Sequence, residues 1–157
     1  MCRGSGDWEI AEGGEKMTIT EYQVIVAGNL SSSALAAKTP LSFWGGVDVA
    51  TGMIQDIHHD LCGLNLTGKV LCIPFDRGSC SGSGVLLEMI RQRTAPAGIL
   101  CLGAEAVLAL GPIIGEKMYQ RGIAIRTVSE EVFRQVQTGD LICFTDEEII
   151  IEKKGEQ

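Results

Sequence analysis

Hydrophobic residues in this chain form short runs separated by glycine and polar turns, a pattern typical of buried β-strands. Runs of this length, bounded by glycine and rich in β-branched residues, predict strands rather than helices. Six such runs occur: YQVIVAG (22–28), VLCIPF (70–75), GILCL (98–102), IAIRTV (123–128), LICFT (141–145) and IIIEK (149–153). The last two runs are joined by a short acidic segment and predict a hairpin.

Apolar residues at helical spacing predict three helices between these strands, over 85–93, 104–118 and 129–140. Thr127 and Glu130 fit a capping box for the last helix, and Gly139 fits its end. The middle segment is so apolar that we expect a core helix, broken at Gly111 because Pro112 follows.

Strands alternate with helices from residue 69 onward, whereas 20–66 carries strand and turn signals with little helix. This order predicts an α/β fold with two sheets and a helical layer. At 157 residues, the chain is long enough for one domain with a core. We expect a disordered leader over 1–16, a folded domain over 17–154 and a frayed end over 155–157, because the leader is polar and glycine-rich.

Charge and composition narrow the functions that the chain can have. The formal net charge is −7, so the chain lacks the basic surface that binds nucleic acid or anionic lipid. No apolar run approaches the roughly 20 residues of a membrane span. Most of the six cysteines resemble buried thiols, which indicates a reducing cytoplasm. We expect neither nucleic acid nor membrane as a partner.

The segment DRGSCSGSG (76–84) is the strongest candidate for chemistry, because it connects a buried strand to a helix N-terminus. Helix N-termini offer unpaired backbone N–H groups, and glycines allow close approach of a ligand, so an anionic small molecule is the expected guest. The spacing matches neither a Walker loop nor a dinucleotide fingerprint nor a nucleophile elbow. A capped turn without a ligand explains the serines equally well.

Two other segments carry polar candidates. SFWGGVD (42–48) places Gly45, Gly46 and Asp48 beside Trp44, which fits either a loop at an active cleft or a turn around a core aromatic residue. His58 and His59 are adjacent, so on a strand they would face opposite sides and could not easily share one metal ion. We therefore expect no metal site in this chain.

Three stretches, in order, resemble the small subunit or swivel domain of the aconitase X family. They are LSFWGGVDVATGMIQD, GKVLCIPFDRGSCSGSGVLLEMI and APAGILCLGAEAVLALGPIIGEKM, and the likeness covers about residues 20–152. The resemblance implies a swivelling β/β/α domain that closes over a larger catalytic subunit. It implies a dehydratase acting on cis-3-hydroxy-L-proline or, in archaeal members, on mevalonate 5-phosphate.

The family's serine general base corresponds to Ser79. The resemblance implies substrate contacts from the rest of the loop: Arg77, Gly78, Cys80, Ser81, Gly82 and Ser83. It places Gly45, Gly46 and Asp48 in a loop near the cleft. It also implies an iron or iron–sulfur centre on the large subunit and no cofactor on this chain. The paired histidines and the SCSGSG loop favour the hydroxyproline substrate.

Two hypotheses from other classes remain open. The chain could be an anion-binding module without catalytic activity, whose apolar surface docks another protein. It could also be an enzyme acting alone through Cys80, a thiol nucleophile.

Overall fold

The computed structural model describes residues 15–75, 81–103 and 106–155. Eight strands and four helices lie within these ranges: β1 (Lys16–Ile19), β2 (Gln23–Val26), β3 (Leu30–Ala36), α1 (Phe43–Gly46), β4 (Val70–Ile73), α2 (Ser81–Gln92), β5 (Gly98–Cys101), α3 (Ala106–Tyr119), β6 (Ala124–Thr127), α4 (Glu130–Gln135), β7 (Leu141–Phe144) and β8 (Ile149–Glu152).

The strands follow the order β1-β8-β7-β3-β4-β5-β6-β2, and β3 belongs to two layers. Its first half pairs antiparallel with β7, from Leu30 opposite Phe144 to Ser33 opposite Leu141. Its second half pairs parallel with β4, beginning at Ala34. Strands β3 to β6 form the parallel centre, while β7, β8 and β1 form an antiparallel layer.

Alternating side chains of the central strands divide the interior into two cores. Leu71 and Ile99 point toward the helices and pack with residues such as Met89 of α2. Val70 and Leu100 belong to the opposite core, which is completed by β7 and β8. All four residues of β4 and all four of β5 are buried, as expected for parallel strands covered on both faces. The predicted β/β/α layering is confirmed.

The six strands predicted from hydrophobic runs are all present, and the final pair forms the predicted hairpin. The sequence reading did not assign β3, because LSSSALA carries three serines where a buried strand would have apolar residues. Ser32 and Ser33 have polar partners there, the Gly68 carbonyl and the Lys69 ammonium group. Strand β1 begins at Lys16, the last residue of the predicted leader.

The cap of α4 differs from the prediction. Ser129 is the N-cap residue and its hydroxyl accepts from the Val132 N–H at 3.4 Å, whereas Thr127 is the last residue of β6. The capping box was therefore wrong, because the strand continues up to Thr127. Helix α4 also ends before Val136 rather than at Gly139.

The predicted break in α3 is also wrong, because the helix continues through Pro112 to Tyr119. Among the cysteines, Cys72 and Cys101 are buried thiols as predicted, while Cys62 is exposed. Burial raises the pKa of the Cys72 thiol, and the nearby Asp140 adds to that effect. Cys143 is disulfide-bonded, so a free thiol was the wrong prediction there. No described helix is long and apolar enough to cross a bilayer.

Candidate functional site

The carboxyl ends of the parallel strands form the candidate site. In open α/β sheets, ligands bind in the crevice at this edge, where loops leave the strands for the helices. A cavity of about 720 Å³ lies there. Its lining comes from 36–38 at the end of β3, from Pro74 after β4, from Leu102 after β5, and from α4 with the residues that follow it. The serine-glycine segment begins two residues after Pro74.

Two basic side chains line this cavity, and they differ in their partners. Arg134 forms an ion pair with Glu130 one turn earlier on α4. Lys38 is exposed, and within the described ranges its ammonium group makes no ion pair. Lys38 is therefore the available positive charge of the cavity, and the sequence reading missed it because nothing around it marks it as functional.

Asp60 holds the backbone that presents Lys38. Its Oδ2 accepts from the Lys38 N–H at 2.8 Å, and its Oδ1 accepts from the Thr39 hydroxyl at 2.6 Å. Burial raises the pKa of this carboxyl, but the hydrogen bonds from Thr39 and Lys38, together with His59, outweigh it, so that the pKa is lowered overall. The carboxylate is thus the form that the surrounding donors stabilise.

His59 belongs to the same turn, and its ring is buried. Its Nε2 lies 3.1 Å from the Thr39 carbonyl and therefore donates, whereas Nδ1 accepts from the Leu61 N–H at 3.1 Å. Both ring nitrogens are thus occupied by backbone groups, while the neighbouring His58 is exposed. Among the described residues, no three His, Cys, Asp or Glu side chains are grouped so that they could hold a metal ion.

The predicted site loop is only partly described. Arg77, Gly78, Ser79 and Cys80 lie outside the described residues, so their roles stay predictions. Ser81 begins α2, and Gly82 is buried in its first turn. The 12-residue helix α2 thus starts four residues earlier than the predicted 85–93, so that 81–84, which were expected in the loop, form its first turn.

Ser83 connects α2 to α3. Its hydroxyl donates to the Leu108 carbonyl at 3.3 Å and accepts from the Gly111 N–H at 2.5 Å, and the side chain is buried. Pro112 has no N–H to donate to the Leu108 carbonyl four residues earlier, so Ser83 replaces the missing helical bond. A proline inside the predicted α3 was the signal for this contact, since it leaves one carbonyl in need of a donor.

Close packing at this contact requires glycine. A Cβ at Gly111 would lie 2.1 Å from the Ser83 carbonyl oxygen. The described hydrogen bonds of the Ser83 side chain thus go to α3, and its predicted contact with substrate stays a prediction.

Gly45 and Gly46 are the last residues of α1, whereas Asp48 begins the next turn, in which its carbonyl accepts from the Gly52 N–H at 2.7 Å. Gly45 has a φ of +79°, a conformation that favours glycine, and its carbonyl accepts from the Gln55 side chain at 3.1 Å. The Asp48 carboxylate accepts from the Ala50 N–H at 3.0 Å and stabilises the turn. None of the three lines the cavity as described, so their place near a cleft stays a prediction.

The aromatic residue in the core at this turn is Phe43, which is fully buried, whereas Trp44 is 69% exposed. The interpretation in which Trp44 is the core aromatic is therefore wrong. A large aromatic side chain that remains in solvent beside a glycine turn is available for contact with another molecule.

The layered β/β/α fold and the candidate site at the carboxyl edge of its parallel strands place this chain in the class of layered α/β domains. Comparison of its sequence with protein families then shows which family it belongs to. The profile of the aconitase X swivel domain matches residues 19–153, so the chain belongs to the aconitase X swivel domain family. The family resemblance found in the sequence is confirmed.

The chain is similar to dehydratases of two kinds. The chain is 46% identical to the cis-3-hydroxy-L-proline dehydratase of Pseudomonas aeruginosa over 69% of its own length and 19% of that protein. It is 40% identical to the phosphomevalonate dehydratase small subunit of Methanopyrus kandleri, over 78% of its own length and 87% of that subunit. The chain thus spans about a fifth of the curated hydroxyproline dehydratases that it matches.

A solved structure gives the same fold. The crystal structure of Thermococcus kodakaraensis aconitase X in its holo form superposes with a TM-score of 0.76 at 28% identity. The match covers 86% of this chain and 98% of that one.

Proposed function

We propose that this chain is the small subunit of an aconitase X-type dehydratase, in which Ser79 removes a proton from a carboxylic acid substrate. The observation that carries the proposal is the strand-loop-helix unit at the carboxyl edge of the sheet, which leads from β4 through the serine segment into α2 beside a cavity. The family match and the small-subunit names of relatives such as the Methanopyrus kandleri protein support it.

The reaction removes water from the substrate. A base takes a proton from carbon, the electron pair of that C–H bond forms the new double bond, and the hydroxyl group on the adjacent carbon departs. Serine is a weak base, so Ser79 must act as an alkoxide that is stabilised by backbone N–H groups and nearby positive charge. Arg77 and the N-terminus of α2 are the proposed sources of that stabilisation.

We assign the iron or iron–sulfur centre to the larger partner, as the family resemblance implies. Such a centre, when bound, supplies a Lewis acid for the departing hydroxide. This chain supplies the base and the donors that hold the acid group of the substrate.

The proposed substrate is cis-3-hydroxy-L-proline. Lys38 is the described lining residue whose positive charge has no partner, because Arg134 is paired with Glu130. One available ammonium group suits a single carboxylate, whereas a phosphate carries close to two negative charges at neutral pH and needs more donors. The 46% identity to the Pseudomonas aeruginosa dehydratase agrees with this choice.

Phosphomevalonate is the second candidate substrate. It is supported by the alignment with 87% of the Methanopyrus kandleri small subunit, a protein of similar extent. The two candidates are distinguished by measuring the turnover of each compound by the complex of this chain with the large subunit of the same organism. Faster turnover of the phosphorylated compound would show that phosphomevalonate, and not hydroxyproline, is the substrate.

Replacement of the proposed base tests the mechanism. We expect Ser79→Ala, assayed with the large subunit, to reduce kcat by about 10²- to 10⁴-fold, the usual contribution of a general base. Ser32→Ala, which removes a hydroxyl bonded to the Gly68 carbonyl at the opposite end of the parallel strands, serves as the control and should retain kcat. More than about a tenth of wild-type turnover in Ser79→Ala would show that another group is the base.

Two further outcomes decide between the classes of function. A stable monomer that binds carboxylates but neither binds nor activates a large subunit would favour the non-catalytic module. Activity of the chain alone that is abolished by thiol alkylation would favour Cys80 as a nucleophile.

A further inference from the structure

The outer face of α3 is an exposed apolar stripe. Leu110, Ile113, Ile114 and Met118 are 52%, 42%, 40% and 61% exposed, respectively. Residues at spacings of three, four and eight lie on one side of a helix, so these side chains form one continuous surface. Lys117 is the only charged residue within the stripe.

The composition of α3 does not suit a surface helix. Of its 14 residues, only Glu116 and Lys117 are charged. A helix that is apolar all round is normally buried on all sides, and a contiguous exposed apolar patch marks an interaction site. The inner side of α3 packs on α2 and the sheet through residues such as Leu108. The outer side of α3 is therefore exposed in this chain, although its apolar residues are typical of a buried helix face.

We propose that the outer face of α3, formed by Leu110, Ile113, Ile114 and Met118, is the surface on which the larger dehydratase polypeptide docks. This inference rests on the proposed function. In the Pseudomonas aeruginosa and Hypocrea jecorina dehydratases, the matched segment is 19% of the protein, so a much larger remainder of the same polypeptide is present beside it. In this chain we expect a separate polypeptide to take that position.

The size of the stripe argues for a large partner. A standard interface buries about 800 Å² on each side, more than four partly exposed side chains provide. The partner must extend beyond the helix, which suits a polypeptide several times the size of this domain. With a net charge of −7, the chain is poorly suited to bind an anionic membrane instead.

Helix α3 is in direct contact with α2, the helix that follows the serine segment. Ser83, near the start of α2, is hydrogen-bonded to Leu108 and Gly111 on the inner side of α3. A partner held on the outer side thus lies one helix away from the element that carries the serine loop. The cavity itself is lined by residues of β3, α4 and the loops after β4 and β5, and none of these lining residues belongs to α3.

A binding measurement with the large subunit of the same organism tests the proposal. Ile113→Glu and Ile114→Glu each place a charge in the stripe, and we expect each to raise the Kd for the large subunit at least ten-fold. Leu64→Glu is the matched control, since Leu64 is also 42% exposed but belongs to the segment between α1 and β4, where its carbonyl accepts from the Ile54 N–H; it should bind like wild type. At saturating small subunit, both stripe variants should recover wild-type kcat.

Circular dichroism and thermal unfolding check that the variants fold. If both Ile variants fail to fold, Met118→Glu replaces them, because Met118 is the most exposed member of the stripe. Wild-type binding by a folded stripe variant would overturn the docking surface and leave the proposed function intact. Self-association of wild type that the variants abolish would show that a second copy covers the face. If folded wild type fails to bind the large subunit, the proposed function fails as well.

Discussion

At the scale of single residues, Ser83 shows how one hydroxyl serves two helices. It donates to the carbonyl that Pro112 leaves without a helical partner, and it accepts from Gly111, the residue before that proline. Ser83 therefore has a structural role, although it belongs to a segment that the sequence analysis proposed for ligand binding. The sequence marked this segment as a candidate, but it placed Ser83 in a loop and could not reveal that this hydroxyl faces α3, because the partner lies 25 residues away.

Ser83→Ala should destabilise the fold by about 1–3 kcal/mol, because a buried carbonyl and a buried N–H lose their partner. The free energy of unfolding in urea measures this change. In a double-mutant cycle, Pro112→Ala restores the N–H that bonds the Leu108 carbonyl, so the cost of removing Ser83 should shrink in that background. Equal costs in both backgrounds would show that Ser83 does not compensate for the proline.

Asp60 acts at the same scale, on the backbone that follows β3. The carboxylate accepts hydrogen bonds from Lys38 and Thr39, which fix the first residues beyond the strand at the rim of the cavity. Its lowered pKa means that the folded state favours the charged form. The resulting stability is present above the ordinary pKa near 4 and is lost as the pH falls through the lower folded value.

Asp60→Asn should therefore lower the free energy of unfolding at pH 7 by about 1–3 kcal/mol, since hydrogen bonds to a charged acceptor are lost. The difference from wild type should shrink below pH 4, where the wild-type carboxyl becomes protonated. Urea unfolding at pH 7 and pH 3 measures both values. Glu147→Gln, an exposed carboxyl on the β7–β8 turn, is the control; a difference for Asp60→Asn that is the same at both pH values would contradict the charge effect.

At the scale of elements, the sequence predicted what local pattern determines and failed where distant partners decide. Strands β4 and β5 were evident because both of their faces are buried, so nearly every residue is apolar. Strand β3 was missed because its serines have partners on the loop before β4. The break predicted in α3 failed for the same reason, since another helix supplies the missing donor. In the site, the sequence predicted that a helix follows the serine segment, although it placed the start of that helix four residues too late, whereas Lys38 became evident only from the cavity.

At the scale of the whole molecule, Arg126 joins the two sheets at one end. Its guanidinium lies between the rings of Tyr22 and Phe144, 4.8 and 4.6 Å from their centroids. It donates to the carbonyls of Gly28, Thr145 and Glu148, which belong to the β2–β3 connection and the β7–β8 turn. Burial lowers the pKa of this side chain.

Arg126→Lys should destabilise the fold by about 2–4 kcal/mol, because an ammonium group keeps the charge but cannot reach three carbonyls between two rings. Thermal unfolding and urea unfolding measure the loss. Arg134→Lys, which alters an exposed pair on α4, is the control and should change stability little. If Arg126→Lys were as stable as wild type, the hydrogen bonds of the Arg126 guanidinium would not be what holds the two sheets together.

The strand β3 has a consequence for how the domain responds to stress. One continuous backbone of seven residues completes the antiparallel layer with its first half and the parallel layer with its second. If either layer separates, β3 loses hydrogen bonds, and β3 is also a strand of the other layer. We therefore expect the two layers to unfold together, and a pull on the β7–β8 hairpin to reach, through β3, the strands that border the cavity.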